Sequence, residues 1–324
     1  VSELFFGAMM FHQRRGPDAI REYAAMLDAY SEAGGNVIDT ASAYGDSEEI
    51  LGELLGARRD RFVLATKYTL SRDQTDPNAA GNHRKNLVLS LDQSLRRLQT
   101  DYVDLLWVHI WDRHTPVEET MRALDDAVRA GKVLHVGISD TPAWVVSRAH
   151  TIAQWHDWTP FAGIQMPYNL LNRDIERELL PMAETLGLTV ATWGPLAGGV
   201  LSGKFSGTTT PDEKTRLSPE TLSDRDHAAA RAVMDVAADL GATPAQVAIA
   251  WTRTRSRTIH PIVGATNAKQ LTENLAAANL VLPEASIRKL ESAVEFRLGF
   301  PSDFIAESET NPFVFGDSSG WPIV

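Results

Sequence analysis

NVIDTASAYG, residues 36–45, begins as a buried strand and ends as something else. Asn36 to Ile38 read as the start of an ordinary apolar run. Asp39 then puts a carboxylate where that run should continue, and five residues later Tyr44 stands beside Gly45 in what must be a turn. A strand that finishes on polar groups and passes through a turn into an amphipathic segment is one unit of a parallel α/β fold.

The same unit recurs along the chain. Strand-like runs are LFFGAM (4–9), NVIDTA (36–41), FVLATKY (62–68), YVDLLWVHI (102–110), VLHVGIS (133–139), FAGIQMP (161–167), LTVATWG (188–194) and IHPIVGA (259–265). Between them, DAIREYAAMLDAYSEAGG, VEETMRALDDAVRAGK and RDIERELLPMAETLG have helical spacing, acids early and glycine at or past the end. Eight strands alternating with helices, without a linker or a close repeat, predict a single-domain (β/α)8 TIM barrel over residues 1–324. Extra helices and a long polar loop at 204–226, after strand seven, interrupt the alternation. Residues 297–324 form an aromatic-rich tail with Phe304, Phe313, Phe315 and Trp321. Loop and tail each read either as surface segments or as a lid over a site.

The totals fit this class. Among 324 residues, 44 % are hydrophobic and 23 % charged, as in globular proteins, and the net charge of −11 disfavours nucleic acid and anionic membrane surfaces as partners. The absence of cysteine excludes disulfides and thiolate chemistry and suits the cytoplasm. No apolar run approaches the ~20 residues of a membrane span, and the first residues given lack the charged and apolar regions expected of a signal peptide. The start at Val1, without methionine, leads us to expect residues upstream. Oligomeric state is left open.

Alternation along each strand fixes its inward set once one member is chosen. If Asp39, Lys67 and His109 point inward, Val37 lies beneath the first, Val63 and Ala65 beneath the second, and Leu105 and Trp107 beneath the third. Ser139, Gln165 and Trp193 then stand over Gly137, Gly163 and Ala191. All of these polar or aromatic residues occupy C-terminal strand ends, where barrel enzymes carry their chemistry. A phenol, with an ordinary pKa of about 10, is a poor proton donor near neutrality. A nearby ammonium should lower it, and a carboxylate should keep that ammonium charged and oriented. Asp39, Lys67 and Tyr44 suit those roles, with His109 orienting a carbonyl oxygen. Taken singly, Asp39 with Lys67 reads as a structural ion pair and His109 as an interior histidine. Trp107 reads as core filler, and Trp111 as either substrate wall or packing.

At this point the sequence resembles the aldo-keto reductases over nearly its whole length. DTASAYG, ATKY and LLWVHIWD are similar to that family's aspartate, tyrosine, lysine and histidine motifs, in the same order and on strands two, three and four. The resemblance implies a catalytic tetrad of Asp39, Tyr44, Lys67 and His109, with Tyr44, His109 and Trp111 facing the substrate. It also implies NADPH/NADP+ as cofactor, since no side chain supplies a hydride. By resemblance, Ser139 and Gln165 reach the nicotinamide carboxamide and Trp193 stacks on the ring, and Gly7, Ala8, Met9, Asp39 and Tyr44 border the cofactor. Gly194, Pro195, Leu196, Ala197, Gly199 and Lys204 curl over its pyrophosphate. IVGATNAKQLTEN places Gly264, Thr266, Gln270, Glu273 and Asn274 on the adenosine-phosphate positions, with the helix beginning near Asn267 aimed at phosphate. The similarity is greatest to the branch containing potassium-channel beta subunits and related bacterial reductases. Asp140 departs from the asparagine that many members carry there, and as a carboxylate it cannot donate.

GGVLSGK (198–204) fits G-x-x-x-x-G-K, but Phe205 stands where a phosphate loop needs Ser or Thr, so no nucleotide-triphosphate site is expected. The histidines lack metal-ligand spacing, and no metal is expected. The expected activity is reduction of a small-molecule aldehyde or ketone. One alternative is an NADPH-binding regulatory or redox-sensing subunit, opposed by His109, since those relatives carry asparagine there. Another is a lyase or aldolase using Lys67 as a Schiff base.

Overall fold

In the computed structural model, which describes residues 1–11, 16–205, 221–309 and 311–316, eight parallel strands pair in chain order and the eighth returns to the first, closing a barrel. The strands are β1 (Phe5–Gly7), β2 (Val37–Asp39), β3 (Val63–Tyr68), β4 (Val103–Val108), β5 (Val133–Ser139), β6 (Phe161–Pro167), β7 (Thr189–Trp193) and β8 (Ile259–Val263). The barrel expected from the sequence is therefore the one observed, with several strands trimmed at their ends. β2 stops at Asp39, yet Thr40 still donates its amide to Ala65 (2.9 Å) and Ser42 to Lys67 (3.1 Å), so pairing carries the chain up to the Tyr44 turn.

The outer ring contains α1 (Pro17–Glu32), α2 (Ser47–Leu55), α3 (Arg84–Leu98), α4 (Val117–Arg129), α5 (Ala143–Trp155), α6 (Leu179–Thr185), α7 (Asp224–Leu240), α8 (Pro244–Thr252), α9 (Ala268–Leu275) and α10 (Glu284–Ser292). Their apolar faces and the outward strand residues form one continuous core. Among the extra helices expected, α7 and α8 both stand between β7 and β8, each opened by a reciprocal cap, Ser223 with Asp226 and Thr243 with Gln246. The continuous helix expected over 173–187 is instead a turn of 3-10 helix (Asp174–Glu176) followed by α6. Pro181 explains the break: it is accommodated in the first turn of α6, where no backbone donor is required, and would disrupt a helix already under way.

A second, smaller cluster lies within the barrel and comprises Phe5, Val37, Ala65, Trp107, Ala191 and Ile262, with Val63 and Leu105 against it. These are the inward residues expected from alternation. Trp107 is 2 % exposed, and a Cβ on Gly137 would lie on its ring, so the indole occupies the volume that the glycine leaves empty. Phe5 stacks on His260 at 5.0 Å lower in the barrel. The tail contains two short helices, α11 (Ser302–Glu309) and α12 (Pro312–Phe315). Arg177 tethers it by donating to the carbonyls of Arg297 (3.2 Å) and Leu298 (3.1 Å). Most of the 204–226 loop and Trp321 lie outside the described residues, as do the side chains of Phe313 and Phe315.

Candidate active site

Strand register sets the geometry at the mouth. Asp39 is level with Gly7 and Ala65, Lys67 with Trp107, and Ser139 with Gln165. Lys67, 1 % exposed, donates to Asp39 Oδ1 and to the Thr40 carbonyl (2.9 Å). Its ammonium also lies 4.9 Å from the centre of the Tyr44 ring. The second oxygen of Asp39 accepts from Gln165 Nε2 at 2.9 Å. The His109 ring meets Tyr44 edge to face, with centres 5.7 Å apart. Residues from β2, β3, the β4 end and the Tyr44 turn thus come together as expected.

The Tyr44 hydroxyl was expected to fall below its ordinary pKa; instead it is raised. Burial is the largest cause, Lys67 offsets part of it, and the charges of Asp39 and Asp140 add to the rise. Tyr44 is therefore held firmly in its protonated form. His109 is shifted the other way, down to about 3, by burial first and by the neighbouring Lys67 charge second. Its imidazole is neutral across the physiological range, and its Nδ1 is buried without a hydrogen-bond partner.

On the other half of the mouth, Ser139 and Gln165 are buried beside Asp39, whereas Trp193 is 43 % exposed. Its indole N–H donates to Asp140 Oδ1 at 3.2 Å, so Asp140, set aside in the sequence, fixes the orientation of that ring. Of the first segment, Ala8 is buried and Met9 is exposed. After β7 the chain turns through Gly194, buried Pro195, Leu196, Ala197 and Gly199, and the Lys204 side chain crosses Gly199 so closely that a Cβ there would collide with it. At β8, a Cβ on Gly264 would meet nothing nearer than the Gly7 carbonyl at 3.8 Å, so no protein atom calls for glycine at that position.

The start of α9 is filled by protein groups. Asn267 caps the Gln270 amide (2.8 Å), Gln270 Oε1 accepts from the Thr266 amide (2.7 Å) and hydroxyl (2.9 Å), and Glu22 from α1 accepts from the Ala268 amide. Glu22 was not foreseen. Asn274 turns back to the Gly264 carbonyl (3.3 Å), while exposed Glu273 offers its main-chain oxygen to Gln246 (2.8 Å).

Three residues with positive φ and a side chain sit just past strand ends or in the loop after β7: Thr69 (102°), Asp140 (43°) and Ala197 (48°). Thr69 is the least expected, because a β-branched residue is strained there. Its hydroxyl accepts from the His109 amide (3.3 Å), and its carbonyl accepts from Gly81 (2.8 Å), tying the β3 and β4 loops together. Among the described residues, no group of three or more His, Asp or Glu gathers as a metal site, and no helix is long and apolar enough to cross a membrane.

A closed parallel barrel whose mouth joins a buried lysine–aspartate pair to a protonated tyrosine and a neutral histidine defines an oxidoreductase-like site on a (β/α)8 frame. A profile of the Aldo/keto reductase family matches residues 3–295, and the chain belongs to that family. It is 41 % identical to a norsolorinic acid reductase from Emericella nidulans, over 95 % of this chain and 82 % of the relative. Identity is 40 % to norsolorinic acid reductase A from Aspergillus parasiticus (89 % and 75 % covered) and 36 % to an aryl-alcohol dehydrogenase from Pestalotiopsis microspora (86 % and 74 %).

Proposed function

We propose that this aldo/keto reductase reduces a small-molecule aldehyde or ketone with NADPH, with Tyr44 as the acid. The observation that carries the reading is the ammonium of Lys67, which donates to Asp39 and Thr40 and lies 4.9 Å from the Tyr44 ring centre at the barrel mouth. Tyr44 Oη gives its proton to the carbonyl oxygen as the carbon is reduced. The tyrosinate left behind has Lys67 beside it, so the ammonium acts most strongly when the negative charge forms. Neutral His109, in the tautomer with its proton on Nε2, can donate to the same oxygen.

When bound, a nicotinamide cofactor supplies the hydride that no side chain provides. The residues present fit such a group. Trp193 offers an exposed aromatic face at an angle fixed by Asp140. Because Asp39 can only accept, Gln165 spends its amide N–H on it and turns its carbonyl to a carboxamide's N–H. The space beside Gly264 and the Lys204–Gly199 contact suit a strap of phosphates and sugar. This reading takes residues 1–324 as one barrel domain in the cytoplasm, with the described tail residues 297–309 and 311–316 as a substrate loop.

The relatives' names are those of reductases and dehydrogenases, which favours turnover over a cofactor-sensing subunit. A Schiff-base role for Lys67 is disfavoured by its burial as an ammonium on Asp39. The test is NADPH consumption across a carbonyl panel by wild type and Tyr44→Phe. Turnover reduced at least about a hundredfold in the variant, with NADPH binding retained, is expected. Tight NADPH binding without turnover by the wild type would overturn the assignment in favour of the sensing subunit.

A further inference from the structure

On this reading of the site, we infer that Trp144 is a specificity-determining residue that, with Trp111, selects planar aryl aldehydes and ketones over aliphatic ones. Trp111 lies two residues beyond His109, and Trp144 is the second residue of α5, five residues beyond the β5 end at Ser139. Both therefore stand on the rim that carries the tetrad. Their rings meet edge to face at 5.6 Å and 86°. Trp111 is partly buried, whereas Trp144 is 58 % exposed, leaving a large apolar surface open beside the site. An exposed indole at a site rim gains most when another aromatic ring covers it.

The wall is also held in place. Asp112 follows Trp111 and accepts from the amides of Asn82, His114 (2.8 Å) and Thr115 (2.6 Å) and from the Thr115 hydroxyl (2.8 Å). Burial opposes ionisation of that carboxyl, but these donors overcome it and hold its pKa below the ordinary range. The Arg113 guanidinium lies 5.8 Å from the Trp111 ring centre. On the other side, Pro142 precedes the first turn of α5 and fixes the approach to Trp144. A ring covering such a fixed wall loses little to its ordering.

The experiment compares wild type, Trp144→Ala and Trp144→Phe on 2-naphthaldehyde and hexanal, and measures 2-naphthaldehyde binding without cofactor by equilibrium dialysis. Trp144→Ala should lower kcat/KM for the aryl substrate roughly three- to tenfold, mainly through KM, and weaken its binding by the same factor. Hexanal should change less than about twofold, and Trp144→Phe should recover most of the loss. Equal losses on both substrates, or unchanged aryl binding in Trp144→Ala, overturn the inference. Failure of the wild type to reduce either aldehyde would refute carbonyl reduction instead, while the dialysis comparison still decides the role of Trp144.

Discussion

Replacing His109 by glutamine should flatten the acid side of the protein's stability profile. In the unfolded chain a histidine titrates near about 6.5; in the folded protein His109 is pushed down to about 3 by burial and Lys67. Between those values the unfolded chain binds more protons, so stability rises with pH across the window. The contribution is complete above the unfolded value and is lost progressively as pH falls through 6.5 towards 3. From pH 7 to 4.5, the full shift corresponds to about 2.5 kcal/mol, and partial access of the ring to solvent reduces this to about 2 kcal/mol. Buried His150 and half-buried His260, whose pKa values are also lowered, and Glu48, whose pKa is raised, titrate in both proteins and drop out of the difference. Urea unfolding of wild type and His109→Gln at the two pH values gives the double difference. Identical pH dependence in both would mean that the imidazole is protonated in the fold, and a neutral donor at this position would have to be abandoned.

Other perturbations probe different contacts. Lys67→Met leaves Asp39 buried without its cation and should cost about 3–5 kcal/mol in urea unfolding; adding Asp39→Asn should restore much of that stability but none of the turnover. Recovery of turnover in the double variant would contradict the role given to the ammonium. Gly137→Ala forces a methyl onto the Trp107 ring and should destabilise by about 1–3 kcal/mol, read as a lower thermal midpoint. Glu22→Gln removes a negative charge from the start of α9 and should raise affinity for NADPH while leaving NADH nearly unchanged, as measured by calorimetric titration. An equal gain for both cofactors would show that Glu22 does not sense the additional phosphate.

The barrel was legible because its pattern is local. Short apolar runs separated by amphipathic helices are visible without tertiary information, and period-two alternation assigned Val37, Ala65, Trp107 and Ala191 to the interior. The gathering of Asp39, Lys67, Tyr44 and His109 followed, because strand ends of a closed barrel converge. The direction of the Tyr44 shift did not follow. It depends on how deeply the ring is enclosed, which the neighbouring loops set, whereas the sequence displays only the ammonium. Trp144, Glu22 and Thr69 were missed for related reasons. An aromatic at a helix start, an acid on α1 and a threonine past a strand carry no local mark of what they meet across the rim. Pro181 was a visible signal whose place in the first turn of α6 was not used.

Trp107, together with the stacked Phe5 and His260 beneath it, fills the cylinder below the mouth with side chains. A reactant therefore reaches the tetrad from the rim. Incoming reactant and departing alcohol must take turns at it, and accumulating alcohol will compete with reactant for the same threshold.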